Sequence, residues 1–508
     1  MTLLRRHWLL AALLVAGLTL RVLALVAYHP ALIYVDTLKY LYGLYPGSEP
    51  LGYTALLRAV LLAGDLGAVA VVQHLLGLAV AVALYAVLLR RGARPWLAAL
   101  AVAPVLLDAY QIQMEQMIMP EALFEAVVVA GLVLLLWRPA VSVRVAVVAG
   151  LVLGASASVK QVGVILIIPA VAYLLVSCRP WRRSAVVSGA LIVAFLLPVV
   201  GYCTVSYART GHFWLARRQP FAGRLAAAAD CATLRLPASV RPLCPTPAEQ
   251  AHGPDWLEHS GQSPLFSVPV KPGTRGTLIS ELNSAVVNQQ PLRVVAAIAR
   301  DAVRLFAPTR HASLSVTPIS RWQFQTSYPT FPPWVRVRKS GQILVGLQSA
   351  PGTPFSFHVL KPAYGGRASV NRPVATWLRS YQLDGGYTPG PLLALCVLAG
   401  LAGSAVAVVR RIRGSADDGA LAAVLLFTVT AAVLLLVPDL YQFTWRYQLP
   451  ALLTLPPAAA LVVSALIARR RARASSGGVV AGQSDPDRRE DVLGRPGARS
   501  QAGGEPAG

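Results

Sequence analysis

Apolar runs of about twenty residues, separated by short polar linkers, recur along most of this 508-residue chain. Runs of that length match the ~30 Å hydrocarbon core of a bilayer at ~1.5 Å per helical residue. The pattern predicts spanning helices near 7–28, 67–89, 95–108, 120–137, 145–159, 162–178, 184–203, 388–409, 419–437 and 449–468. Residues 145–178 form one apolar block, but as a single helix they would reach about 50 Å, too long for one crossing. A turn is therefore expected near Ser158-Val159-Lys160-Gln161. The stretch 204–387 breaks the pattern. It is rich in proline, holds no run long enough to span, and reads as a separate mixed domain of helices, short strands and loops. Within it, residues 280–308 predict two helices divided near Pro291, the second amphipathic and suited to lie along a membrane surface. The chain thus divides into an N-terminal helical module at 1–203, the outer domain, C-terminal spans at 388–470 and a tail at 471–508. The tail is polar, rich in Gly, Ser and Ala, and predicts disorder. The expected fold is an all-α polytopic membrane protein of about ten spans with a mixed extracytoplasmic domain.

Charge adds a direction. Of 46 basic residues 41 are arginine, and only 13% of the chain is charged. Arg5 and Arg6, Arg90, Arg91 and Arg94, Arg138 and Arg144, Arg179, Arg182 and Arg183, Arg410, Arg411 and Arg413, and Arg469–Arg473 fall in alternate linkers. The positive-inside rule makes those linkers cytoplasmic, with both termini on the same side. A mean hydropathy of +0.56 excludes an ordinary soluble protein. The net charge of +24 is not read as nucleic-acid binding, because the bases sit between apolar segments as topology signals do. The Arg-, Ala- and Val-rich composition suggests a bacterial chain and a multi-pass place in the plasma membrane. The basic start and long apolar run at the N-terminus read as a first span, since no small-residue cleavage site follows.

The acids run the other way. Up to residue 203 they are Asp36, Glu49, Asp65, Asp108, Glu115, Glu121 and Glu125. The topology places the first six in outer loops or at outer helix ends, and Glu125 one turn inside the fourth span. Asp36, in IYVDTLKYLYGLY, is expected where the first span meets the outer water layer, and carboxylates near lipid are costly. Glu121 follows Pro120 in the first turn of a helix, where the dipole favours negative charge. That placement alone would explain it as a helix stabiliser. Asp108 and Glu115 flank the same outer loop and are alternative second acids. Lys160 at the expected hairpin and Arg446 between Trp445 and Tyr447 are interfacial cations, fitted either to anchor the chain or to bind a phosphate. Cys231 and Cys244 lie thirteen apart in the outer segment, where an oxidising exterior favours a disulfide. His74, inside the second span, is expected to make an interhelical hydrogen bond. No Cys or His spacing resembles a zinc site.

The outer acid after the first span, Gly52-Tyr53 before the second, Met119-Pro120-Glu121 opening the fourth, Ser158-Val159-Lys160, and Arg446-Tyr447 before Leu449-Pro450 share an order and a side. Together they resemble the polytopic GT-C glycosyltransferases, in the branch of protein mannosyltransferases and aminoarabinose transferases that use a phospholipid-linked sugar. The resemblance implies a polyprenyl-phosphate sugar donor and an acceptor that is a cell-envelope polysaccharide or a protein. It implies catalytic roles for Asp36 and Glu121, support from Asp108 or Glu115, phosphate contacts from Lys160 and Arg446, and aromatic lining by Tyr40, Tyr53 and Tyr447. Many relatives carry paired acids in the first loop, whereas Val35-Asp36-Thr37 offers one. A divalent cation, magnesium or manganese, and a metal-independent reaction are therefore both open. A lipid-linked-sugar flippase and a non-catalytic envelope-assembly protein are the alternatives.

Overall fold

The computed structural model describes residues 2–43, 51–215, 221–310, 316–328, 335–338, 340–347, 354–361, 364, 367–414 and 419–480. The first ten helices are α1 (Thr2–Ala27), α2 (Val35–Tyr42), α3 (Leu51–Leu61), α4 (Leu66–Arg90), α5 (Pro95–Leu107), α6 (Ala109–Gln116), α7 (Glu121–Leu136), α8 (Val143–Val159), α9 (Ile167–Ser177) and α10 (Trp181–Thr210). Every predicted apolar segment coincides with a helix. Among the described residues six are long and apolar enough to cross a bilayer: α1 from Arg5, α4, α10, Gly390–Ile412, Gly419–Asp439 and Trp445–Arg471. A seventh crossing results if α5 and α6, bent by 49° at Asp108, are taken as one. The other predicted segments form shorter helices, α7, α8 and the 3₁₀ turn Gln161–Leu166 followed by α9. They pack against α4 and α10 rather than standing alone.

Residues Met1–Ala465 form one compact unit, and Leu466–Gly508 a second, helical as far as Val480. The segment between α10 and the C-terminal helices divides in two. Residues 222–294 build their own small core around Leu243, Leu257, Leu265 and Leu282. Cys231 and Cys244 are joined there by a disulfide, with Cα atoms 5.9 Å apart. Residues 316–382 join the main core instead, through Trp322, Phe324 and Leu378. They include a small antiparallel sheet of Val335–Val337, Ile343–Leu347 and Ser356–Val359.

The predicted turn after α8 lies where expected. The helix ends at Val159, Lys160 is extended, and a 3₁₀ turn begins at Gln161. Gly52 explains how α3 reaches this corner: a Cβ there would lie 2.6 Å from Ser158 Oγ. α3 therefore seats directly on the end of α8 and presents the neighbouring Tyr53 inward.

The bundle has two distinct ends. α7 runs from Glu121 to Leu136 and α8 returns from Val143 to Val159. At the Leu136 end the arginine linkers meet. Arg91 donates to the Leu136 and Arg138 carbonyls at 2.8 and 2.7 Å, and Arg183 to Val141 at 3.3 Å. Arg179 donates to Gly414 at 2.9 Å and Arg411 at 3.4 Å. The acids Asp36 and Glu121 lie at the opposite end.

Candidate functional site

Two short segments of the chain, one before α2 and one before α7, are held side by side. Leu32 N–H donates to Gln116 O, and Ile118 N–H returns a bond to Leu32 O, both at 3.0 Å. Thr37 Oγ accepts from Tyr34 N–H and donates to Ile118 O, again at 3.0 Å. Gln73 Nε2 donates to Glu115 O and Met117 O at 2.7 and 2.8 Å. The loop leading to α2 and the loop leading to α7 are thereby fixed to each other. Asp36 and Glu121, each in the first turn of its helix, are held in one place.

Cations join them from two further segments. Arg446, on the turn Trp445–Gln448, reaches Asp36 Oδ2 at 3.4 Å and Glu121 Oε1 at 3.8 Å through the same Nη1. Lys160 Nζ lies 3.2 Å from Glu121 Oε1. Lys39, one turn beyond Asp36, lies 3.1 Å from Asp36 Oδ1. Burial works against ionisation of Asp36, but Lys39 and Arg446 outweigh it and hold the carboxyl at about 2, below its usual 3.8.

Aromatic rings enclose the charges. Lys160 lies over Tyr447 and Phe124 at 5.5 and 5.7 Å, and Arg446 over Trp322 and Tyr447 at 4.9 and 5.5 Å. Tyr40 packs edge-on to Tyr53, whose hydroxyl donates to Gln73 at 2.7 Å. Burial, with Asp36 and Glu121 nearby, raises the Tyr40 phenol well above its usual 10. Two buried atoms in this cluster have no hydrogen-bond partner within the protein, Glu121 Oε2 and Arg446 Nε. An orphaned acceptor and an orphaned donor side by side suit a ligand carrying both hydroxyl and anionic oxygen.

Asp36, Glu121, Lys160, Arg446, Tyr40, Tyr53 and Tyr447 therefore come together, while Asp108 and Glu115 stand elsewhere. Asp108 caps α6, accepting from Tyr110 N–H at 2.9 Å and Gln111 N–H at 3.4 Å, and its other oxygen accepts from Thr388 N–H at 2.7 Å. Glu115 is wholly buried in a bidentate pair with Arg21, two contacts of 2.8 Å, with His74 Nδ1 3.0 Å away. Its place is the bundle interior, not the outer loop expected from topology. Glu49 lies outside the described residues.

Sequence reasoning missed Lys39, Tyr34, Arg321 and Trp322. Lys39 had a local signal, a cation at i+3 from Asp36 on a helix. Tyr34 immediately precedes α2, and Arg321 and Trp322 arrive from the irregular segment between α10 and the C-terminal helices: Arg321 donates to Tyr34 Oη at 3.0 Å, and Trp322 Nε1 to Thr444 Oγ at 2.9 Å beside Arg446. His259 lies 3.3 Å from Asp255 Oδ1 and 3.0 Å from Tyr441 Oη. Burial opposes ionisation of Asp255, but His259 and Arg321 lower it. Burial likewise opposes charging of His259, but Asp255 raises it.

The donor set does not fit a divalent cation shared by Asp36 and Glu121. The guanidinium of Arg446 already links the two carboxylates, Lys39 takes the other oxygen of Asp36, and Lys160 shares Glu121 Oε1 with Arg446. Among the described residues no three His, Cys, Asp or Glu side chains gather as a metal site needs.

Comparison of the chain with protein families, with curated proteins and with solved structures finds no match.

Proposed function

We propose that this chain is an integral-membrane glycosyltransferase of the GT-C kind, moving a sugar from a polyprenyl-phosphate carrier to an extracytoplasmic acceptor. The observation that carries this reading is the cluster itself. Two carboxylates and three cations from segments around 36, 121, 160 and 446 converge among aromatic rings at the bundle end away from the arginine linkers.

The reaction needs few parts. An acceptor hydroxyl attacks the anomeric carbon as the bond from that carbon to the phosphate oxygen breaks. Asp36 takes the hydroxyl proton. Lys160 and Arg446 take up the negative charge left on the departing phosphate. Attack from the face opposite the leaving group inverts the anomeric centre. Glu121 Oε2, without a partner in the protein, accepts a sugar hydroxyl and orients it. At rest Arg446 and Lys160 neutralise the carboxylates. A phosphate entering between them draws the cations onto itself and leaves Asp36 a stronger base.

Sugar transfer in proteoliposomes tests this, with labelled polyprenyl-phosphate sugars and release of polyprenyl phosphate as the readout. Asp36→Asn is expected to lower turnover by at least ~100-fold, the scale on which a positioned base acts, with expression and folding intact. Equal turnover in both chains would remove Asp36 from the chemistry. Absence of turnover with every donor would turn the reading towards a lipid-linked-sugar flippase or a non-catalytic envelope-assembly protein.

A further inference from the structure

A cleft of about 250 Å³ lies beside the carboxylate cluster, between the end of α2, one face of α3 and the final turns of α10. It is just below the ~300–1,000 Å³ range of sites that bury drug-sized ligands, and suits a head group. α3 contributes Thr54 and Arg58, spaced i, i+4, and α10 contributes Tyr202, Ser206 and Arg209 along one stripe. α2 contributes Lys39. Among the described residues three cations line the cleft and no acid does.

The cleft is more than a basic patch. Thr54 is 8% exposed, lines the cleft, and its Oγ has no hydrogen-bond partner within the protein. A buried hydroxyl left unpaired is costly. It points to a ligand oxygen. Lys39 connects the cleft to the cluster, since its ammonium is 3.1 Å from Asp36 Oδ1 while the same side chain lines the cleft wall.

We propose that this cleft seats a phosphate group carried by the acceptor, and that Lys39 is shared between that phosphate and Asp36. The anion site stands on the cleft alone; its assignment to the acceptor rests on the transferase reading, in which Lys160 and Arg446 serve the donor phosphate. A phosphate in the cleft pulls the Lys39 ammonium off Asp36. The carboxylate then loses the nearer of its two cations as the acceptor arrives, and its basicity rises beyond what the donor phosphate alone produces. Asp36 reaches its full basicity only with the acceptor hydroxyl in place.

The experiment measures binding without any donor sugar, so it is independent of whether transfer occurs. The full chain is placed in phosphatidylcholine nanodiscs and titrated calorimetrically with sn-glycerol 3-phosphate. In parallel, native mass spectrometry compares retention of phosphatidylglycerol with phosphatidylcholine. At least one phosphate probe is expected to bind saturably, and Arg58→Gln with Arg209→Gln is expected to weaken it about tenfold. Thr54→Val should weaken it by a smaller factor, and Asp36→Asn, which frees Lys39 from its carboxylate, should strengthen it. Binding of the soluble probe assigns a water-borne phosphate acceptor; binding of the lipid alone assigns a lipid-borne one. The proposal falls if neither probe binds above the neutral control. It falls equally if the Arg58/Arg209 double variant, monodisperse and melting as the native chain does, binds both probes as well as native. Arg58 and Arg209 are exposed, and if the double variant fails to fold, each single variant carries the same test.

Discussion

Asp36 is poised between two opposing effects, and their balance can be measured. Burial favours the neutral acid, while Lys39 and Arg446 hold the carboxyl at about 2. Because its folded value lies below the usual 3.8, the group stabilises the fold above about pH 4, and that contribution is lost as pH falls towards 2. Lys39→Gln removes the cation that lowers it most and should move the acid limb of the pH–rate profile upward, towards the ordinary carboxylate value. An unmoved acid limb would show that Arg446 alone sets the group. The sequence made Asp36 and Glu121 visible because acids gather in the linkers between the arginine-bearing ones. It could not separate Glu121 from Asp108 and Glu115, which lie within thirteen residues of it. What distinguishes them is tertiary: the Thr388 N–H seals Asp108, Arg21 seals Glu115, and Glu121 alone keeps an oxygen without a partner in the protein.

At the scale of elements, the buried pair Arg21–Glu115 acts through what it holds. Arg21 also donates to the carbonyls of Gly17, Leu106 and Val105, at 3.1, 2.9 and 3.1 Å, so α1 is bound to the end of α5 as well as to α6. Gly77 on α4 makes room for the carboxylate, since a Cβ there would collide with Glu115 Oε1. Arg21→Met leaves a buried carboxylate without its guanidinium and should cost roughly 3–5 kcal/mol of stability. Replacing both partners, Arg21→Met with Glu115→Met, should recover much of that. Gly77→Ala should cost about 1–3 kcal/mol by overpacking. Thermal unfolding in detergent ranks the three variants; a double variant no more stable than Arg21→Met would mean that the contacts of Glu115 with His74 and Gln111 dominate instead. Helix positions were legible from apolar runs because burial in lipid or protein selects the same residues. The 49° bend between α5 and α6 was not, since it is set by Asp108 capping α6 and bonding Thr388 across the bundle.

At the scale of the whole molecule, the arginine linkers and the carboxylate cluster occupy opposite ends. The four arginine linkers around residues 91, 138, 179–183 and 411–414 are bound to one another at the end where α7 finishes, and Glu121 opens the same helix at the other end. Positive residues flanking spans remain on the cytoplasmic side, so the cluster should face outward, where a polyprenyl-linked sugar and an envelope acceptor would meet. The segment between α10 and the C-terminal helices packs against that end. Its Arg321 and Trp322 reach Tyr34 and Thr444, contacts that no local pattern foretells because they join residues more than a hundred positions apart. Single cysteines at exposed Arg58 and at Arg411 separate the two ends, since the native Cys178, Cys203 and Cys396 are all buried. In intact cells a membrane-impermeant maleimide should label Arg58→Cys and reach Arg411→Cys only after permeabilisation. The reverse pattern would place the carboxylate cluster in the cytoplasm and remove the extracytoplasmic acceptor from the proposal, while leaving the cluster's geometry, and the test of Asp36, untouched.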